Sequence, residues 1–167
     1  MKLTAQRWEY TAATMRSEID RRIGASTVTG IITPGTSQRV IADNHEWITR
    51  AGLCGQAVDY RGASMCVDET ALMESALKAM ASDCQILRPT ALVVTAEHLA
   101  LFDRYTWLMA QHGVCRAAFT EMAPALEWAR RQAAVFAQWP ALRLPASAGC
   151  LRTVDASTPA RQASDPA

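Results

Sequence analysis

The sequence predicts an α/β fold, with a central, mostly parallel sheet and helices on its faces. Three observations carry this. Between residues 88 and 131 (RPTALVVTAEHLALFDRYTWLMAQHGVCRAAFTEMAPALEWARR) short apolar runs alternate with helical patterns. The same strand-then-helix order extends back to residue 27, and alternation of this kind calls for parallel strands joined by helical crossovers. The composition, 50% hydrophobic and 20% charged over 167 residues, is that of a globular chain able to bury a core without disulfides or metal.

Each element has its own justification. Residues 7–10 read as an edge strand. Met15, Ile19 and Ile23 recur at a spacing of four, with Glu18, Asp20, Arg21 and Arg22 between them, which predicts a helix ending near Gly24. Residues 27–33 (TVTGIIT) are β-branched and close at Pro34-Gly35, predicting a strand and a turn. Thr36 or Ser37 is the expected N-cap of a helix whose one face gathers Val40, Ile41, Asn44, Trp47, Ile48 and Ala51 before Gly52 stops it. Residues 56–60 form a short strand candidate, and Asp68 can cap a helix with apolar positions Leu72, Met73, Ala76, Leu77 and Met80. Pro89 precedes a strand at 91–94. Thr95 is placed to cap a helix over 96–112, and Gly113 to end it. A strand at 114–119 follows, then Thr120 as cap of a helix over 121–138, with Pro124 near the first turn, where proline is tolerated. Residues 140–167 hold four of the seven prolines and no periodicity, which predicts a disordered tail behind a single domain spanning 1–139.

Composition also narrows the function classes. The net charge of +1 supplies no global field for nucleic acid or an acidic membrane. No run approaches the roughly 18 apolar residues of a membrane span, and the start MKLTAQRWEY has no apolar stretch of secretory type. The five cysteines (Cys54, Cys66, Cys84, Cys115 and Cys150) are irregularly spaced without a CxxC pair, which reads as reduced thiols in a cytoplasmic protein.

Two segments give the chain a family resemblance. One is Asp59-Tyr60-Arg61-Gly62-Ala63 leading to Asp68 and a helix. The other runs from Ala91 to Glu127 and includes Ala118-Phe119-Thr120 and Ala125-Leu126-Glu127-Trp128. Over about residues 27–138 the chain resembles a STAS domain, the fold of anti-sigma-factor antagonists and of the cytosolic tails of sulfate transporters. The resemblance implies a non-enzymatic bacterial regulatory or protein-interaction module. Its regulatory loop would comprise Asp59, Arg61, Asp68, Glu69 and Thr70. The chain departs from the family pattern where Arg61 stands before Gly62 in place of serine, and where Asp68-Glu69-Thr70 replaces Asp-Ser-Ser. Thr70 is then the matching hydroxyl, and its acidic neighbours oppose the roughly two negative charges of a phosphate.

Other candidates for chemistry are sparse. Asp59, Asp68 and Glu69 are an acidic group near a strand end, readable as metal or acid/base carboxylates or simply as a loop aspartate and a helix cap. His45, His98 and His112 lack ligand spacing and read as surface or capping residues. Cys115 reads as an inert thiol inside a buried strand. GxGxxG, P-loop and G-x-S-x-G motifs are missing, so the sequence predicts no catalytic residues, metal or cofactor. Arg21-Arg22 and Arg130-Arg131 read as solvated charge pairs.

The last two helices carry more apolar surface than one core face needs. Leu99, Phe102, Tyr105 and Met109 form one stripe, widened by Leu101, Trp107 and Leu108. Met122, Leu126, Ala129, Ala133 and Phe136 form another, with Trp128, Val135 and Trp139 beside it. Trp107, Trp128, Val135 and Trp139 are therefore an expected interaction surface for a protein partner or a second copy of the chain. A broad core face is the alternative. A carrier or sensor for a small apolar or lipid-like ligand, held between sheet and helices near Phe102, Met109 or Trp107, is the competing functional reading.

Overall fold

In the computed structural model, which describes residues 5–20, 22–81 and 88–138, six strands lie side by side in chain order. They are β1 (Ala5–Glu9), β2 (Ala13–Asp20), β3 (Ile23–Ile32), β4 (Gln56–Met65), β5 (Thr90–Val93) and β6 (Arg116–Phe119). The helices are α1 (Pro34–Arg50), α2 (Glu69–Ala81), α3 (Ala96–Gln111) and α4 (Met122–Gln138). β1, β2 and β3 form an antiparallel meander, and β3 to β6 pair in parallel. The mixed, mostly parallel α/β sheet is thus as expected from the sequence. The tail at 140–167, Trp139, Cys84 and Cys150 lie outside the described residues.

Side-chain alternation sorts the helices onto two faces. Met15, Val28, Val58 and Leu92 point to the side that holds Val40 of α1, Leu72 of α2 and Phe102, Tyr105 and Met109 of α3. Ile23, Ala57, Ala91 and Val93 point to the other side, where Ala125, Ala129 and Ala133 of α4 seal the sheet. Three alanines in a row let α4 lie close on the strands.

Residues 13–23 are a correction. Ala13–Asp20 is a strand, and Ile23 opens the next one, where the sequence predicted a helix. A spacing of four is a multiple of the strand period as well as near a helical turn. Ala13, Met15 and Ser17 are buried, while Arg16 and Glu18 are exposed and Thr14 half-buried, which is the period-two pattern of a half-covered sheet. The cap of α1 also moves. Thr33 is the N-cap and accepts from the Thr36 N–H, with Pro34 at the first helical position rather than in a turn.

β4 runs on to Met65, past the predicted end at Tyr60. Register shifts there, with Thr27 opposite Asp59 and Thr29 opposite Gly62, so an extra residue is accommodated as a bulge around Tyr60 and Arg61. The shorter differences, a strand from Ile23 rather than 27 and β6 from Arg116 rather than 114, concern element ends.

Gly30 holds the meander closed. Its φ is +93°, and a Cβ there would lie 2.3 Å from the Ala12 carbonyl oxygen. Gly30→Ala is expected to cost about 3 kcal/mol, from the left-handed backbone and a clash with main chain that cannot rotate away. Urea unfolding of the variant measures it; a loss within 0.5 kcal/mol, at the level of an ordinary surface change, would contradict the assignment.

Candidate functional site

Four positions of neighbouring strands form one rung across the parallel sheet. Gly24 of β3 pairs with Gln56, Gln56 with Thr90, and Thr90 with Arg116. Gln56, Thr90 and Arg116 are the first residues of β4, β5 and β6, and all line a cavity on the α1–α3 side. Gly24 carries no side chain because Trp47 of α1 presses on it; a Cβ would come within 2.9 Å of the indole.

Above this rung, the buried face of α1 consists of Ser37, Val40, Asn44, Trp47 and Ile48, so two polar residues interrupt an apolar stripe. Asn44 turns the interruption into a hydrogen-bond chain. The Ser17 and Ser26 hydroxyls are 2.7 Å apart, Ser26 Oγ donates to Asn44 Oδ1 at 2.9 Å, and Asn44 Nδ2 donates to Gln56 Oε1 at 2.6 Å. Gln56 Nε2 donates to Thr90 Oγ1 at 3.0 Å, and that hydroxyl donates to the Arg88 carbonyl at 3.2 Å. Because Ser26 spends its single proton on Asn44, Ser17 is the donor in the first link. Every donor therefore points the same way across the sheet, an arrangement in which each bond polarises the next.

The cavity beside this chain measures about 40 Å³. At 10–15 Å³ per water it has room for about three. Val58, Leu72, Leu92 and Phe102 give it apolar walls, and Tyr60, Tyr105, His45 and Arg116 bring polar atoms to it. The rings form a continuous wall, with Tyr60 to Phe102 at 6.4 Å and Phe102 to Tyr105 at 6.1 Å between centroids. The Arg116 guanidinium sits 5.3 Å from the centre of the Tyr105 ring. Its Nε is buried without a hydrogen-bond partner, and among the described residues no carboxylate pairs with it.

Electrostatics follow from burial. Desolvation lowers the pKa of Arg116 to about 10, against a smaller upward pull from Tyr60, so the group stays charged at neutral pH. Burial raises the Tyr60 phenol to about 12, slightly offset by Arg116, so it stays neutral. His45 is pushed down to about 4, first by burial and then by the positive charges of Arg88 and Arg116. A neutral imidazole beside an unpaired cation gives this cavity a positive field.

The site residues expected from the sequence lie elsewhere and do not converge. Asp59 and Arg61 sit in β4 rather than in a loop. The Arg61 guanidinium grips the Asp59 carboxylate with Nε at 3.0 Å and a terminal nitrogen at 2.7 Å, and the Arg61 N–H adds a bond at 3.0 Å. Burial would raise that carboxyl, but the Arg61 hydrogen bonds and charge outweigh it and hold the group below the ordinary range. Asp68 caps α2 through the Ala71 N–H at 2.7 Å, Glu69 pairs with Arg104 at 2.8 Å, and Thr70 is exposed beside them. Among the described residues no group of three His, Cys, Asp or Glu is arranged to hold a metal.

Trp107 is 63% exposed on α3 and Val135 53% exposed on α4, so they stand on opposite faces of the sheet. Trp128 is half-buried against Phe119, with centroids 5.9 Å apart. The expected surface is therefore not one continuous patch among the described residues. Of the residues named for an apolar cavity, only Phe102 lines this one. His112 is the C-cap of α3, the capping role expected, while His98 lies within α3 and its ring meets the Thr95 hydroxyl at 2.8 Å; His45 is half-buried at the cavity wall. Cys115 lies just before β6, half-buried, its thiol pushed up by burial and 3.9 Å from Gln132 Oε1. Arg130 pairs with Asp20 at 2.6 Å and Arg131 with Glu127 at 3.5 Å.

No protein-family model matches the chain, and a search of curated proteins finds no match. No helix among the described residues is long and apolar enough to cross a membrane.

Sequence reasoning overlooked Arg116, Gln56 and Thr90 because each opens a short run that reads as an apolar strand. The signal present was Asn44, a polar residue on the apolar face of α1. A buried amide must find partners, and its partners lead across the rung.

Proposed function

We propose that the chain is a non-enzymatic regulatory module of the STAS type that binds a small molecule in the cavity between the sheet and α1–α3. The observation that carries this is the cavity itself, which combines apolar walls with a few convergent polar groups, as ligand sites do. The strand–helix succession and the Asp59–Arg61 segment support the STAS reading. The free thiols Cys54, Cys66 and Cys115 fit a reducing, cytoplasmic setting.

The experiment is a fragment screen by protein-observed NMR on the isotope-labelled (nitrogen-15) full chain, using fragments of each charge class. Binding is expected to shift the amide signals of Ser37, Ile41 and Arg116, and to disappear in Ile41→Trp, which fills the cavity from the half-buried side of α1. If no fragment of any charge binds in an Ile41→Trp-sensitive way, the reading fails.

Protein association is a second reading, favoured by the exposure of Trp107. Sedimentation of the wild type and Trp107→Ala decides it: a concentration-dependent dimer lost in the variant supports association through α3.

A further inference from the structure

We infer that the cavity is a seat for a small organic monocarboxylate, its carboxylate on Arg116 and its short apolar body against Val58, Leu72 and Leu92. The inference rests on the reading of this cavity as a ligand site and names what fills it.

Charge comes first. Arg116 is half-buried, but its Nε is buried outright; a buried guanidinium N–H without an acceptor is costly, and a charge-assisted acceptor relieves that cost. Arg116 has its ring contact with Tyr105 but no acceptor at Nε. A planar carboxylate matches the planar fork of guanidinium donors. Among the described residues lining the cavity there is no aspartate or glutamate to compete for it.

The number of charges then selects the ligand class. Among the described residues Arg116 is the single cation lining the cavity, since His45 is neutral and Arg88, which donates to Thr49 Oγ1 at 2.9 Å, does not line it. One cation balances one carboxylate. A phosphate dianion would bring an unbalanced negative charge into a low-dielectric space. The walls select a body as well as a head, because Val58, Leu72, Leu92 and Phe102 form an apolar side to the cavity beside its polar groups. Size sets the limit. A space for about three waters suits an acid of about two to four carbons and excludes a long acyl chain.

The test is calorimetric titration of the full chain with acetate, propionate, butyrate and octanoate, each against chloride at matched ionic strength, with phosphate, butanol and butylamine as comparison ligands. Saturable binding of at least one short carboxylate is expected, weakened at least about tenfold in Arg116→Met, which keeps an unbranched apolar stem and removes the guanidinium and its charge. Thermal unfolding checks that this variant folds. If it does not, Arg116→Lys, which keeps the charge but loses the fork, carries the test through a smaller loss of affinity. The inference is overturned if no short carboxylate binds saturably, if Arg116→Met binds it unchanged, or if phosphate, octanoate or butylamine binds more tightly. Binding of butanol or butylamine that Ile41→Trp abolishes, with no carboxylate binding, would leave the cavity as a ligand site and remove the carboxylate.

Discussion

Asn44→Ala should destabilise the protein by about 3 kcal/mol, more than its few lost contacts suggest. Asn44 is 3% exposed and joins two stretches of a buried polar chain. Its carbonyl oxygen takes the Ser26 proton and its amide gives one to Gln56. Alanine removes both ends and leaves the Ser26 hydroxyl without its acceptor and Gln56 Oε1 without its donor, each buried, at about 1–3 kcal/mol apiece. The diagnostic measurement is a double-mutant cycle with Thr90→Val. Asn44 and Thr90 do not bond each other; Gln56 stands between them. If the donors act as one aligned chain, the pair should couple by more than 0.5 kcal/mol in urea unfolding. Simple additivity would mean that the links are independent.

The parts of the molecule that sequence made legible are those with one dominant physical signal. The stretch from β5 to α4 combined short apolar runs, capping residues and a stop glycine, and each element formed within a residue or two of its expected place. Where two periods coincide, at Met15, Ile19 and Ile23, spacing alone could not separate strand from helix. At Tyr60 the alternation breaks because the bulge moves the inward positions to Ala63 and Met65, so a continuous strand reads as a short one. The cavity was illegible for another reason. Gln56, Thr90 and Arg116 are far apart in sequence, and only the register of three parallel strands puts them on one rung. Asp59 and Asp68, near neighbours in sequence, were easier to group, yet the fold gives one to Arg61 on the α4 side of β4 and the other to the start of α2.

His45 should make the fold acid-sensitive through a window where most carboxylates are still charged. Its folded pKa of about 4 lies below the ordinary histidine value of 6.5. The unfolded chain therefore binds a proton at pH 5 that the folded chain refuses. Its contribution to stability is fully present above about pH 6.5 and is lost as pH falls from there toward 4. Burial opposes the proton first, and then the charges of Arg88 and Arg116, both of which remain positive throughout this window. The shift corresponds to a loss of about 2 kcal/mol between pH 7 and pH 5. Urea unfolding at those two values, compared with His45→Gln, isolates the effect, since glutamine keeps a polar group at the cavity wall and cannot titrate. The wild type should lose about 2 kcal/mol more than the variant. Equal losses would place the acid sensitivity elsewhere. Protonation would also set a second cation beside Arg116 with no carboxylate among the described residues of the wall, so a bound carboxylate should shrink the difference between wild type and variant by offsetting part of that repulsion. A ligand that left the pH 5 difference unchanged would not be sitting between these two residues.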